Sequence, residues 1–356
     1  MGPTATPGTG AELARRYYTD VVAPLLLGRR PGLRHAAGRL GGGSDVLGLD
    51  DEISRDHDWG LRLTLLVPAD EVALVDALLG EGLPDRFAGL PTRFALTRDP
   101  AVRHRVEVST PGEFARARLG IAPDRDLQPA DWLLLTGQSV LEVTAGPVFA
   151  DTQGELTALR RRLAWYPDDV WLHVVAADWA RLGEELPLVG RAGHRGDDLG
   201  SRVIAARLVG VLMHLGCLLE RRWPPYPKWL GTVFERLPGV GAVRPNLPGA
   251  LTSALTAATW EERQDALCRA AEALREMQRR AGLPCGAGPA TEPFFDRPYR
   301  GVRAGVAAVL RDAVTDPRVR RLPPGVGSVE QWVDNVEVLT APERRAALAR
   351  ALAGVT

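Results

Sequence analysis

From Ala11 to about Arg29, Leu13, Tyr17, Val21 and Leu25 recur at fourfold spacing, which predicts a helix with one apolar face that closes before Pro31. Pro24 inside that run weakens its last turn. Gly60–Val67 alternates and then becomes wholly apolar, the pattern of a buried strand, and Pro68-Ala69-Asp70 caps a helix through about Leu79. Arg93–Thr97 and Val102–Val108 read as further strands, a short helix opens near Pro111, and Val140–Thr144 reads as another short strand. Beyond Asp151 the strand signal stops. Gly154–Trp165, Val170–Leu186, Gly200–Arg222, Leu230–Leu237, Trp260–Ala281 and Val302–Val314 all carry apolar residues at helical spacing. Thr340 caps a closing helix over Pro342–Leu352. The expected fold class is α+β. Residues 11–151 form a small mixed sheet with flanking helices, residues 152–356 an all-helical domain, and residues 1–10, uncharged and rich in Pro, Gly and Thr, a disordered tail.

Composition narrows the function classes. The 44 acidic and 44 basic side chains cancel, which argues against a broad electrostatic footprint for nucleic acid or an anionic membrane and leaves room for a local basic pocket. Cys217, Cys268 and Cys285 are odd in number and widely spaced, so neither a disulfide framework nor a structural zinc site is expected. No uninterrupted apolar run reaches the roughly 18 residues of a membrane span. Together these features place the chain in the cytoplasm as an expectation. Of the 44 basic residues only Lys228 is lysine, while asparagine occurs twice and isoleucine three times, the mark of a GC-rich genome. A lysine retained under that pressure is either an accident or one whose compact ammonium an arginine cannot replace, which makes Lys228 a candidate site residue.

The chemistry concentrates between Gly43 and Trp59. Eleven residues separate Gly43-Ser44 from Asp56-His57-Asp58, which opens the predicted strand. On a strand, residues two apart share a face, so Asp56 and Asp58 would project together and His57 oppositely. Two adjacent carboxylates repel unless a cation sits between them, and Mg²⁺ accepts such ligands together with substrate phosphates. A glycine turn offers backbone N–H groups to phosphate oxygens, and Ser44 adds a hydroxyl. Glu107, flanked by Val106 and Val108, would bring a third carboxylate if its strand lies beside the first. Three carboxylates on two metals suit phosphoryl or nucleotidyl displacement. The competing readings are a solvated strand start for Asp56 and Asp58, a surface position for Glu107, and a solvated acidic turn for Asp50, Asp51 and Glu52.

Gly43-Ser44, the gap, Asp56-x-Asp58 and the later Val106-Glu107-Val108 resemble the nucleotidyltransferase superfamily of DNA polymerase beta and the antibiotic nucleotidyltransferases. The wider chain is similar to a mostly uncharacterised bacterial branch in which such a domain is joined to a helical domain of unknown function. The resembling runs are Gly43–Gly48, Ser54–Trp59, Asp131–Leu133, Val148–Asp151, Gly190-Arg191, Pro225–Gly231, Phe295–Tyr299 and Gly327–Asn335. The resemblance implies metal-dependent transfer of NMP from an NTP to a hydroxyl of a small acceptor, with release of pyrophosphate. Asp56 and Asp58 would carry two Mg²⁺, Glu107 would complete one site, and Gly43 and Ser44 would hold the triphosphate. Two departures from the pattern are Glu107 where aspartate is commoner and His57 where an apolar residue is usual. The other expectation is a catalytically silent nucleotide-binding or regulatory module, or transfer to a protein or RNA.

Weaker candidates follow. Pro224–Pro227 is a stiff turn that delivers Lys228 and Trp229 to a helix start, from which the ammonium would reach the triphosphate or simply snorkel beside tryptophans. Arg191, His194, Asp197 and Asp198 fall in a glycine-broken turn suited to substrate contact or helix capping. His214, seven residues after Arg207, and His173 lie in apolar helices and read as packed core, with an Arg…His ribonuclease pair the alternative for His214. Trp179 and Trp223 read as packing, and Trp229 as packing or a base-stacking platform.

Overall fold

The computed structural model describes residues 8–55, 58–97, 99–123, 125–345 and 347. Most of the tail at residues 1–10, together with Asp56, His57 and the end of the predicted closing helix, therefore lies outside the described residues. The chain is α+β. It divides into two compact units, one drawn from residues up to Asp126 and from Ser139–Ala164, the other from Leu127–Gln138 and Trp165–Arg345.

The first unit is built on a five-stranded mixed sheet. Its strands are β1 (Ala36–Gly38), β2 (Arg62–Leu66), β5 (Arg93–Leu96), β6 (Asp99–Ser109) and β7 (Val148–Asp151), in the order β5-β6-β2-β1-β7, while β3 (Arg86–Phe87) and β4 (Leu90–Pro91) form a separate small hairpin. Strands β2 and β6 are parallel, and the other neighbours are antiparallel. Leu61, Leu63 and Leu65 alternate into a core shared with Val106, with Val75 and Leu79 of helix Val72–Gly82, and with the N-terminal helix. That first helix starts in a capping box between Thr9 and Glu12 and buries Leu13, Ala14 and Tyr17. It then widens into a π-turn over Tyr18–Val22 before resuming at Ala23–Arg29. Pro24 is the physical cause: it lacks the N–H of the ordinary ladder, and Ala23 N–H instead reaches back five residues to the Tyr18 carbonyl. The pairing of β1 with β7 is irregular between Ala37 and Gly38, where any Cβ on Gly38 would sit 2.7 Å from the Pro147 carbonyl oxygen.

One local expectation changes, and two strands go unread. Val140–Thr144 is part of a helix, Gly137–Thr144, with Val140 and Val143 buried three residues apart. A short apolar run fits both periodicities, and here the helical one prevails. Strands β1 and β7 carry no readable pattern, being three and four residues long.

The second unit is helical, with one short hairpin, β8 (Thr291–Pro293) with β9 (Arg300–Val302). Its centre is formed by helices Asp168–His194, Asp198–Leu219 and Trp260–Arg280. Trp179 is wholly buried there and donates to Gln278 Oε1 at 2.6 Å. Trp223 stacks at 6.5 Å on Trp132 and packs on Trp165 and Tyr166. By length and mean hydropathy, helix Asp198–Leu219 is capable of crossing a membrane, but 61% of its most apolar stretch is buried inside the protein, as expected of a core helix.

Candidate functional site

The first unit's candidate site is the sheet face opposite the core. Parallel pairing sets Arg62 opposite Arg105 and Thr64 opposite Glu107. Because Leu63, Leu65 and Val106 point into the core, these four side chains take the other face. They border a cleft of about 320 Å³ whose charged lining is Arg39, Arg62, Arg103, Arg105 and Arg118 against Asp76, Asp99 and Glu107, with His104 beside them.

Most of these charges are already matched. Asp99 accepts from Arg103 and Arg105, each at 2.7 Å, and those hydrogen bonds hold its carboxyl down at about 2. Glu107 accepts from Arg118 of helix Pro111–Leu119 at 2.6 Å. Arg39 is almost wholly buried and makes a two-pronged contact with Asp45, at 2.6 and 2.8 Å. It also donates to the carbonyls of Leu40 and Gly42, so one guanidinium ties together the turn that carries Gly43 and Ser44. Arg62 is the exception. Its hydrogen bond goes to a carbonyl, that of Asp58, at 3.0 Å. Burial and then the neighbouring Arg39 lower it to about 10, against the pull of Asp45, Asp58 and Glu107.

The sequence-predicted residues are only partly gathered. Strand β2 begins at Arg62, four residues after Asp58, so Asp58 is not on the strand. Positive φ at Asp58 (54°) and Gly60 (143°) breaks the extended run, and the shared-face argument for Asp56 and Asp58 therefore fails at Asp58. Asp58 Oδ1 instead accepts the Thr97 N–H at 2.6 Å. Asp56 and His57 lie outside the described residues. Gly43 has φ 143°, and Ser44 opens a 3₁₀ turn over Ser44–Val46. Glu107 lies on the expected neighbouring strand and on the expected face.

Among the described residues, no three His, Cys, Asp or Glu side chains gather to hold a metal ion. Of the three carboxylates around Arg62, Asp58 has an oxygen engaged by Thr97, Glu107 one by Arg118, and Asp45 both by Arg39.

The remaining candidates belong to the second unit. Lys228 is exposed in the first turn of helix Pro227–Glu235, as the proline-rich turn predicted, with its ammonium 4.8 Å from the Trp229 ring. Arg191 is exposed near the end of helix Asp168–His194, not in a turn. Asp197 caps the next helix, and Asp198 accepts from Arg202 at 2.6 Å and from the wholly buried Arg263 at 2.9 Å. His194 packs edge-on against Trp260 and Tyr299. His173 sits 2.8 Å from the Val326 carbonyl, and burial lowers its pKa. His214 is a buried ion-pair partner, with Nδ1 2.7 Å from Asp178 and Nε2 3.4 Å from Glu330.

Sequence reasoning passed over Arg39, Asp45, Arg62 and Arg118. The available signal was Arg62 itself, an arginine within the apolar run Gly60–Val67.

A family model described as a domain of unknown function (DUF4037) matches residues 132–230. The crystal structure of a nucleotidyltransferase-like protein from Exiguobacterium sibiricum 255-15 is similar over 76% of this chain and 76% of that one, at 15% identity and a TM-score of 0.34. No curated protein matches the chain.

Proposed function

We propose that the first unit is a nucleotide-binding module that takes the polyphosphate of a nucleoside triphosphate in the arginine-lined cleft. Arg62 carries this reading. A half-buried guanidinium beside Arg39, in a lining with more arginines than carboxylates, is relieved by an incoming anion. Arginine also matches phosphate oxygens in a bidentate fork. Titration of the full chain with ATP, GTP and tripolyphosphate, with and without Mg²⁺, tests it. Arg62→Met should weaken binding about tenfold or more, the loss expected for a charge-assisted hydrogen bond. Undiminished affinity in that variant removes the reading.

A second reading, transfer of NMP to a hydroxyl of a small acceptor with Asp56, Asp58 and Glu107 at the reacting phosphate, has one observation in its favour. Arg62 donates to the Asp58 carbonyl at 3.0 Å, and the Asp58 and Glu107 carboxylates both favour its charge. It requires Glu107 to leave Arg118. Pyrophosphate release separates the readings: release that disappears in Asp58→Asn and Glu107→Gln supports transfer, and binding without release supports the module.

A further inference from the structure

We infer that the second unit contains a small-molecule site for an amphiphilic organic amine, whose ammonium is held by Asp178 and Glu330 at the polar end of an apolar cavity. The inference uses only residues of that unit and is independent of the nucleotide reading.

The cavity measures about 440 Å³, within the range of drug-sized ligand pockets. Val211, Met213, Pro224, Pro225, Leu230 and Leu339 supply much of its apolar lining. Asp178, His214 and Glu330 also line it, from two central helices and from the 3₁₀ turn Val329–Gln331. His214 is not a general base here. Both its ring nitrogens face carboxylates, at 2.7 Å and 3.4 Å. Burial alone would lower its pKa, but Asp178 and Glu330 outweigh that and push it up to about 10, so the ring remains an imidazolium at neutral pH.

The single imidazolium is shared between two carboxylates, Asp178 and Glu330. The Gly137 N–H donates to Glu330 Oε2 at 2.7 Å, and among the described residues no hydrogen bond reaches Asp178 Oδ1. The two arginines of the lining turn away from Asp178 and Glu330. Arg181 and Arg207 both turn to Glu185, at 3.0 and 3.3 Å, and Arg181 also donates to the Gln331 carbonyl. Asp334, exposed and likewise lining the cavity, adds a further carboxylate. A buried charge of this kind is costly unless paired. An ammonium on an apolar body satisfies both halves of the cavity, and a neutral or anionic ligand does not.

The test is calorimetric titration of the full chain at pH 7.5 with tryptamine, phenethylamine and cyclohexylmethylamine, beside the neutral alcohol and the carboxylate of matching shape. At least one amine should bind about tenfold or more tighter than both counterparts, the loss expected when a charged hydrogen bond is forfeited. Glu330→Gln should bring the amine down to the alcohol. Leu230→Trp, which fills the cavity from a partly exposed position, should abolish binding while leaving any nucleotide titration unchanged. If Glu330→Gln does not fold, Asp334→Asn and Leu230→Trp carry the comparison. No amine binding, equal binding of the alcohol or carboxylate, or amine binding that survives Leu230→Trp each overturns the inference.

Discussion

Asp45 is the carboxylate whose removal has the clearest consequence. Arg39 and Asp45 are 2% and 5% exposed and share two short hydrogen bonds. Asp45→Asn preserves shape but leaves a buried guanidinium without its counter-charge. Breaking one side of a buried pair costs about 3–5 kcal/mol. The carbonyls of Leu40 and Gly42 continue to accept from Arg39, which places the loss near the lower end, about 3 kcal/mol. Because the chain has two units, a global melt would blend them. Hydrogen exchange at the amides of β2 and β6 reads the first unit directly, and their protection should fall about a hundredfold. The double variant Arg39→Met/Asp45→Leu removes both charges and should recover most of that loss. A single variant costing under about 1 kcal/mol, or a double variant costing more than the single, would show that the pair does not hold the glycine turn as argued.

Further tests lie in the second unit. Below pH 6.5 His214 is protonated in both folded and unfolded chains, so its ion pairs contribute fully; as pH climbs toward about 10 only the folded chain keeps the proton, and the contribution is lost. Denaturant midpoints between pH 6.5 and 8.5 should therefore fall, and His214→Gln should flatten that stretch; an unchanged slope would refute the pairing. The buried Cys217 and Cys268 thiols, pushed up to about 12 and about 11, add a loss of the same sign only near and above pH 9, outside that window. Trp179→Phe should cost about 2–3 kcal/mol in urea unfolding, because it leaves Gln278 Oε1 buried with no donor, and a cost below about 0.5 kcal/mol would show the indole hydrogen bond to be dispensable.

The legible parts of the fold are those where one residue type repeats along one element. The Leu61–Leu65 alternation gave β2, and the apolar spacing across residues 200–222 gave a core helix because that helix buries Ala205, Leu208, Leu212 and Leu215. Where an element is short, pattern has nothing to repeat. Ala36–Gly38 is a strand because two neighbours pair with it, one on each side, and not through any preference of its own. Gly137–Thr144 failed for a related reason: its buried valines are three apart, as in a helix, but one such interval in eight residues is too short to decide the period.

The site divides along the same line. Glu107 was legible because its place between two valines fixes its face once the strand is known. Its partner was not, since Arg118 comes from the following helix and only the packing of that helix brings it within 2.6 Å. The two aspartates were legible as a pair only on the premise of extended backbone, and backbone in the left-handed region at Asp58 removes that premise. His214 shows the limit most plainly. As a lone histidine in an apolar helix it looked like packing, because Asp178 lies 36 residues before it and Glu330 116 residues after. A buried ionisable residue is therefore better read as an unanswered question of charge: either a partner elsewhere in the sequence balances it, or a ligand does. Here one imidazolium is shared by two carboxylates beside a cavity, and that is what turns a packing residue into part of a candidate site.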